Sequence, residues 1–247
     1  MNVNGRIMMI LQAAKEIKDY DVVLVGVGLP NLAANFAKKS YSPHLTLVYE
    51  SGSIDCFPER QPLSIGDPSL SENVSAIFPI FDTFAYMISG NKIDVGYLGA
   101  AQIDTCGRLN TTVIGNYETP KVRLPGSGGA CEILFYSKKS VILVEFSDQK
   151  LKRELDFITS SPPLKDTKGG TNELLAEVIV TDKCVIVKGE GDPKVSAVYE
   201  GTDILELRKI AEKIGLFVPN ELYIIKYPSE DEIKMLNEMD PSGIYIR

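Results

Sequence analysis

An open, twisted, mainly parallel α/β sheet flanked by helices, with an antiparallel addition in its last third, is the fold that this 247-residue sequence predicts. Three observations predict it. Near-continuous branched apolar runs, Val22-Val23-Leu24-Val25 and Val141-Ile142-Leu143-Val144, read as strands covered on both faces. Segments of helical period stand between such runs. Small, glycine-rich stretches follow the strands directly, where open α/β sheets collect their ligands.

Ile7, Ile10, Leu11, Ala14 and Ile17 recur at helical spacing, giving an amphipathic first helix that ends near Lys18 and Asp19. The first strand lies within 21–27, and Gly26 and Gly28 then open the chain. Pro30 suits the first turn of the next helix, through Leu32, Ala33, Phe36 and Ala37, because its missing N–H costs nothing there. Residues 45–50 form the second strand, ending in Glu50. Between Cys56 and Pro79, four prolines among Gly, Ser and Asp residues predict a long loop that walls whatever Glu50 faces. A short helix over 81–88, a strand over 93–98 and an extended piece over 111–114 follow. Gly126 to Gly129 leads into a helix through Ile133 and Tyr136, and 141–144 is a second buried strand. Ser160-Ser161-Pro162-Pro163 and Lys168-Gly169-Gly170 read as a linker or excursion. Beyond them, 178–180 and 185–187 flank Thr181-Asp182-Lys183-Cys184 as a hairpin. A helix covers 204–214, and the last one opens at Ser229 with Glu232 three residues on, a capping box. One domain over 1–247, decorated from about residue 160, is expected.

With 44% hydrophobic residues the chain can bury a substantial core. A net charge of −7 and no block of Lys and Arg argue against nucleic acid as a partner. Four scattered cysteines and a single histidine, His44, leave no zinc ligand set, and His44 would have to serve alone in any histidine-driven triad. No apolar run reaches membrane-spanning length and the N-terminus has no signal-peptide pattern, so no membrane association and a cytoplasmic protein with reduced thiols are expected.

The chemistry centres on Leu47-Val48-Tyr49-Glu50-Ser51-Gly52. A carboxylate at a strand's carboxyl end faces the ligand crevice, which makes Glu50 a candidate covalent nucleophile. The same spacing fits a strand-end residue in an ion pair. To act, Glu50 must be ionised against its burial, which needs nearby hydrogen-bond donors, the Gly26–Gly28 loop and a partner chain being among the candidates. Gly126-Ser127-Gly128-Gly129-Ala130 offers unhindered amides at a helix start that can face an oxyanion, although glycine runs also serve tight turns. Gly26-Val27-Gly28 follows a strand as a dinucleotide fingerprint does, but Asn31 stands in place of its third glycine. A tight turn admitting a substrate fits better.

Taken in order, Gly26-Val27-Gly28-Leu29-Pro30, Val48-Tyr49-Glu50-Ser51-Gly52, Leu98-Gly99-Ala100-Ala101-Gln102-Ile103-Asp104, Gly126-Ser127-Gly128-Gly129-Ala130 and Asp240-Pro241 resemble the small (B) subunit of the family I CoA-transferases, its glutaconate branch above all. The resemblance spans nearly the whole chain. It implies the open α/β fold shared with some sugar-phosphate isomerases, and Glu50 as the nucleophile of a ping-pong transfer of CoA between an acyl-CoA and a free acid, such as a dicarboxylate. Gly128 and Gly129 match the glycine pair that supplies oxyanion donors, and Gly26 and Gly28 join them as substrate-binding candidates. CoA is then a substrate, and no tightly bound cofactor is expected. A homologous A subunit is implied as partner in a hetero-oligomer, with the site between the two. Ser51, where the ketoacid branch has asparagine, favours the glutaconate-like branch over 3-oxoacids.

Two rival readings remain on the same scaffold: an acyl-CoA thioester or ring-opening hydrolase, and a non-catalytic ligand-sensing domain. For an acidic substrate, Arg60, Arg108 and Arg123 are the candidate cationic anchors.

Overall fold

The computed structural model describes residues 3–56, 58, 60–162, 177–188 and 192–246. Its first helix, α1 (Gly5–Lys15), starts where the Asn4 side chain accepts the Ile7 N–H at 3.0 Å. That bond satisfies one of the orphan amides of the first turn. Strand β1 (Val22–Val25) leads through Gly28, at φ +93°, into α2 (Leu29–Ser40), with Pro30 in the first turn as its ring prefers. Next come β2 (Thr46–Tyr49) and the short β3 (Ser53–Ile54) and β4 (Ala76–Ile77), which fold back antiparallel on it. The predicted 81–88 helix is instead a single turn, α3 (Ile80–Asp82), running into a π-helical stretch over Thr83–Ile88.

Strand β5 (Val95–Gly99) precedes four short strands, β6 (Gln102–Asp104), β7 (Leu109–Asn110), β8 (Val113–Gly115) and β9 (Pro120–Arg123). Helix α4 (Ala130–Tyr136) and β10 (Lys139–Leu143) return the chain to the main sheet, followed by β11 (Leu151–Lys152). Two small side sheets result, β11-β6-β7 and β8-β9. The C-terminal part adds β12 (Glu177–Val180), β13 (Cys184–Lys188), β14 (Lys194–Tyr199), α5 (Ile204–Ile214), β15 (Tyr223–Ile225) and α6 (Glu230–Met239). Ser229 and Glu232 close the expected capping box on α6.

The ten strands of the main sheet run β15-β14-β13-β12-β10-β5-β1-β2-β3-β4. From β12 to β2 every neighbour is parallel, and antiparallel pairs occur only toward the two ends. The predicted 178–187 hairpin is present as β12 and β13, with β12 bonded in parallel to β10. Ser160 is not a loose linker residue: it is buried, and its carbonyl accepts the Leu109 N–H at 2.8 Å. Lys168-Gly169-Gly170 lies outside the described residues.

Alternation along the strands divides the interior in two. Val23, Val25, Leu47 and Tyr49 face α1 and α2, while Leu24, Val48, Leu98 and Ile142 face α4 and α5. Helix α4 lies close on β5 because residue 96 is glycine. A methyl there would stand 2.5 Å from both Ile133 Cγ2 and Ser137 Oγ. The loop at the N-terminus of α4 is thereby held down over the carboxyl end of the sheet.

Candidate active site

The strand that delivers Glu50 is pinned from beneath. Tyr49, fully buried, donates its hydroxyl to Asn31 Oδ1 at 2.7 Å, and Asn31 Nδ2 donates to Gln61 Oε1 at 2.7 Å. Buried polar groups satisfied in this way fix a backbone as well as pack it. β2 ends at Tyr49, so Glu50 sits in the turn, where the Gly52 N–H donates to the Tyr49 carbonyl at 2.9 Å. Gly52 takes φ +100°, and its carbonyl accepts the Phe78 N–H at 2.9 Å, which ties the turn to the end of β4.

Across from it, Gly126 and Gly128 use positive φ (+103° and +50°) to bring the glycine loop down onto the carboxylate. The Gly129 backbone amide faces Glu50 and favours its charged form. A methyl built on Gly129 would lie 3.2 Å from Glu50 Oε1 and 2.8 Å from Phe84 Cζ, and one on Gly128 would lie 3.9 Å from Oε2. At Gly129, only a residue without a side chain fits between this carboxylate and the ring. Glu50 is half-buried, and burial pushes its carboxyl above the ordinary range. The Glu132 carboxylate pushes the same way, and the Gly129 amide opposes both. Among the described residues, the backbone group favouring the charged form is the Gly129 amide rather than one of the Gly26–Gly28 loop.

The remaining predicted residues separate. Val25 pairs with Tyr49, so Gly26 and Glu50 leave neighbouring strands side by side. A methyl on Gly26, or on Gly99 at the end of β5, would meet no atom within 4 Å, so the space over these strand ends is clear for a substrate. Gly28 instead starts α2, with Pro30 and the Tyr245 ring as its neighbours, and the structure does not bring it to the carboxylate. His44 is no base for this site: it is exposed, bonded to Asp19 at 2.8 Å and stacked on Tyr20. Each candidate anchor is engaged by its own chain, Arg60 by Asp67, Arg108 by Asp104 and Arg123 by the Tyr117 ring. A cleft of about 590 Å³ lies between α2, the 60–63 segment and the end of α6. Arg60 and the Asp240-Pro241 pair line it, but neither Glu50 nor any of the four candidate glycines does.

Sequence reasoning missed Phe84 and Glu132. Phe84 reaches Gly129 from a π-helical turn that has no periodic signature, whereas Glu132 carries a readable one, an acid in the first turn of a helix opened by glycines.

A parallel α/β sheet with ligand-facing loops at its strand ends places the chain among α/β enzymes. Residues 7–205 match the model of the coenzyme A transferase family, and the chain belongs to that family. It is 48% identical over 244 residues to the B subunit of the 3-oxoadipate CoA-transferase of Pseudomonas knackmussii, covering 94% of this chain and 92% of that one. It is 30% identical to the B subunit of the glutaconate CoA-transferase of Acidaminococcus fermentans, covering 100% and 96% respectively. The crystal structure of the Acidaminococcus fermentans glutaconate CoA-transferase superposes with a TM-score of 0.86, covering 100% of this chain and 98% of that one. The decarboxylase AibA/AibB, 24% identical, shares the fold with a TM-score of 0.83 over 99% of this chain and 98% of that one. No helix among the described residues is long and apolar enough to cross a membrane.

Proposed function

We propose that this chain is the B subunit of a two-subunit enzyme that moves CoA from an acyl-CoA to a free carboxylic acid, with Glu50 as the covalent carrier. The observation that carries the reading is the Glu50 carboxylate at a strand end, set against the Gly128–Gly129 backbone and beside cleared space over Gly26 and Gly99. An oxygen of Glu50 attacks the thioester carbonyl carbon and the C–S bond breaks, giving an acyl-glutamyl anhydride and CoA thiolate. The thiolate attacks the Glu50 carbonyl carbon and expels the donor carboxylate, leaving a glutamyl-CoA thioester. The acceptor carboxylate reverses both steps. Every displacement exchanges one anion for another, so no proton need be supplied and no water is consumed. The Gly128–Gly129 backbone offers its donors to the oxyanion of each tetrahedral stage. Replacing Gly129 with Ala should lower kcat about 100-fold by pushing the amide off the carboxylate, with KM little changed. Steady-state kinetics on the assembled enzyme checks this, and an unchanged kcat would remove Gly129 from the machinery.

The Pseudomonas knackmussii and Acidaminococcus fermentans relatives carry dicarboxylates in their names, 3-oxoadipate and glutaconate. A short dicarboxylic acid is accordingly the proposed acceptor or donor. Ser51 speaks for the glutaconate-like branch, while a relative 48% identical is named for a 3-oxoacid, so both kinds of dicarboxylate are carried as candidate substrates. Because Arg60, Arg108 and Arg123 are occupied within the chain, the A subunit is the proposed source of the cation for the distal carboxylate.

Incubating the assembled enzyme with acyl-CoA and trapping with borohydride or hydroxylamine tests the reading. The expected result is a modified Glu50 peptide by mass spectrometry; steady CoA release with Glu50 unmodified would indicate a hydrolase instead. The pH profile gives a second test. Glu50 must be ionised to attack, and burial with Glu132 beside it raises its pKa above 4.5. Activity should therefore fall on acidification at a pH higher than an ordinary glutamate would give. An acid limb at or below the ordinary value would contradict the assignment.

A further inference from the structure

The turn that carries Glu50 has two limbs, and they are held differently. The entering limb, β2, is paired along its length with β1, whereas the returning limb, β3, is two residues long and meets β2 at one pair, Val48 with Ile54. Immediately after β3 stands Asp55, at φ +52°, a left-handed conformation that aspartate tolerates better than most side chains. There it closes both backbone groups of Leu47: its N–H donates to the Leu47 carbonyl at 2.8 Å, and its Oδ1 accepts the Leu47 N–H at 2.8 Å. The same Oδ1 takes a 2.9 Å ion pair from Lys38 Nζ in the last turn of α2, and that ammonium also donates to the Leu45 carbonyl. The Lys38 and Asp55 side chains are only 10% and 21% exposed.

We propose that Asp55 and Lys38 are positioning residues for the Glu50 nucleophile, a clamp that ties the returning limb of its turn to α2. The proposal rests on the covalent reading of Glu50 and adds which groups hold that carboxylate in place. Two parts of the site hang from β3. Gly52, just before it, accepts the Phe78 N–H, and β3 pairs with β4, from which the chain runs on to the Phe84 ring against Gly129. A shift of β3 therefore moves the Glu50 turn and the Phe84 wall together. Tolerance at the carboxylate is small, since a methyl built on Gly129 would lie 3.2 Å from Oε1. Misplacing a reacting group by about 1 Å costs on the order of 100-fold in rate.

The pair suits this task because it is largely sheltered. An exposed pair such as Lys213 with Asp148 is screened by solvent and holds little. Out of water, an ammonium and a carboxylate are each costly to leave alone, so Lys38 and Asp55 keep their geometry rather than exchange with solvent. Removing the Asp55 side chain strips the Leu47 N–H and the Lys38 ammonium of the acceptor they share. One short pair and the β4 ladder are then left to hold the limb.

The test measures kcat, KM for acyl-CoA and the single-turnover rate of Glu50 modification, by borohydride trapping, on the chain assembled with its A subunit. Asp55→Gly keeps the left-handed backbone and removes the clamp, so kcat and the modification rate should fall about 30-fold or more, with KM within about 3-fold. Asp55→Asn retains an oxygen for the Leu47 N–H and should restore the rate to within about 5-fold of wild type. Lys38→Met should lower it about 10-fold, and the Lys38→Met, Asp55→Gly double variant should be no slower than Asp55→Gly, because the two side chains act as one unit. Lys139→Met is the control: it breaks the part-buried 2.7 Å pair with Glu16 at the amino end of β10, so it should lower the melting temperature and leave kcat unchanged. If Asp55→Gly modifies Glu50 at the wild-type rate, the clamp is refuted, while the labelled Glu50 keeps the transferase reading. Should Asp55→Gly not fold, Lys38→Met decides in the same way. If Glu50 of the wild-type enzyme is never labelled, both readings fall.

Discussion

Glu50→Gln should abolish CoA exchange, with a loss of about 10⁴-fold or more in kcat, while leaving the fold and subunit assembly intact. Glutamine keeps the shape and an oxygen for the Gly129 amide, but it forms neither the anhydride nor the thioester. The same variant should melt higher than wild type at neutral pH. Burial and Glu132 raise the Glu50 pKa in the folded state, so the folded chain favours the protonated form. The stability of that form is fully present below the unfolded pKa and is lost as pH rises through the folded one. Glutamine stays neutral throughout, and the two melting temperatures should converge on acidification. Exchange surviving in Glu50→Gln would end the covalent mechanism, and a lower melting temperature at neutral pH would contradict the electrostatics.

Gly52→Ala should unfold the site by mechanical means. Gly52 has φ +100°, which an L side chain rarely adopts, and its methyl would fall far inside contact distance of the Phe78 carbonyl oxygen. Backbone cannot rotate away as a side chain can, so β3 and β4 must part. A loss of about 3–5 kcal/mol is expected from urea unfolding, together with loss of exchange. Gly26→Ala is the contrast. Its methyl meets no atom within 4 Å, so stability should change by less than about 0.5 kcal/mol, and any fall in rate reports on substrate space. Equal destabilisation by the two substitutions would refute the distinction.

β1 and β10 were legible because they are buried on both faces and therefore written in runs of Val, Ile and Leu. Glu50 and the glycine loop were legible for a related reason, an ionisable group and a side-chain-free run each placed where a strand or helix meets the ligand edge. What the residues do not announce is tertiary. β3 and β4 hold two residues each, too few for a period of two to register. The π-helical stretch depends on how Thr83–Ile88 is pressed between the Glu50 turn and α4, and no residue pattern marks it. The backbone amide that favours the charged Glu50 belongs to a loop about eighty residues away and not to the neighbouring Gly26–Gly28 loop, because that loop's path is set by positive φ at Gly126 and Gly128.

Gly96 carries the geometry of the candidate site beneath the sheet's surface. With no side chain at that position, α4 settles onto β5, and the glycine loop at its head stands against Glu50. The glycine behaves as a spacer of minimum thickness: one methyl would jack the helix outward and lift that loop with it. Under the proposed mechanism, turnover would be open to retuning from a buried seam, by a residue that no substrate meets.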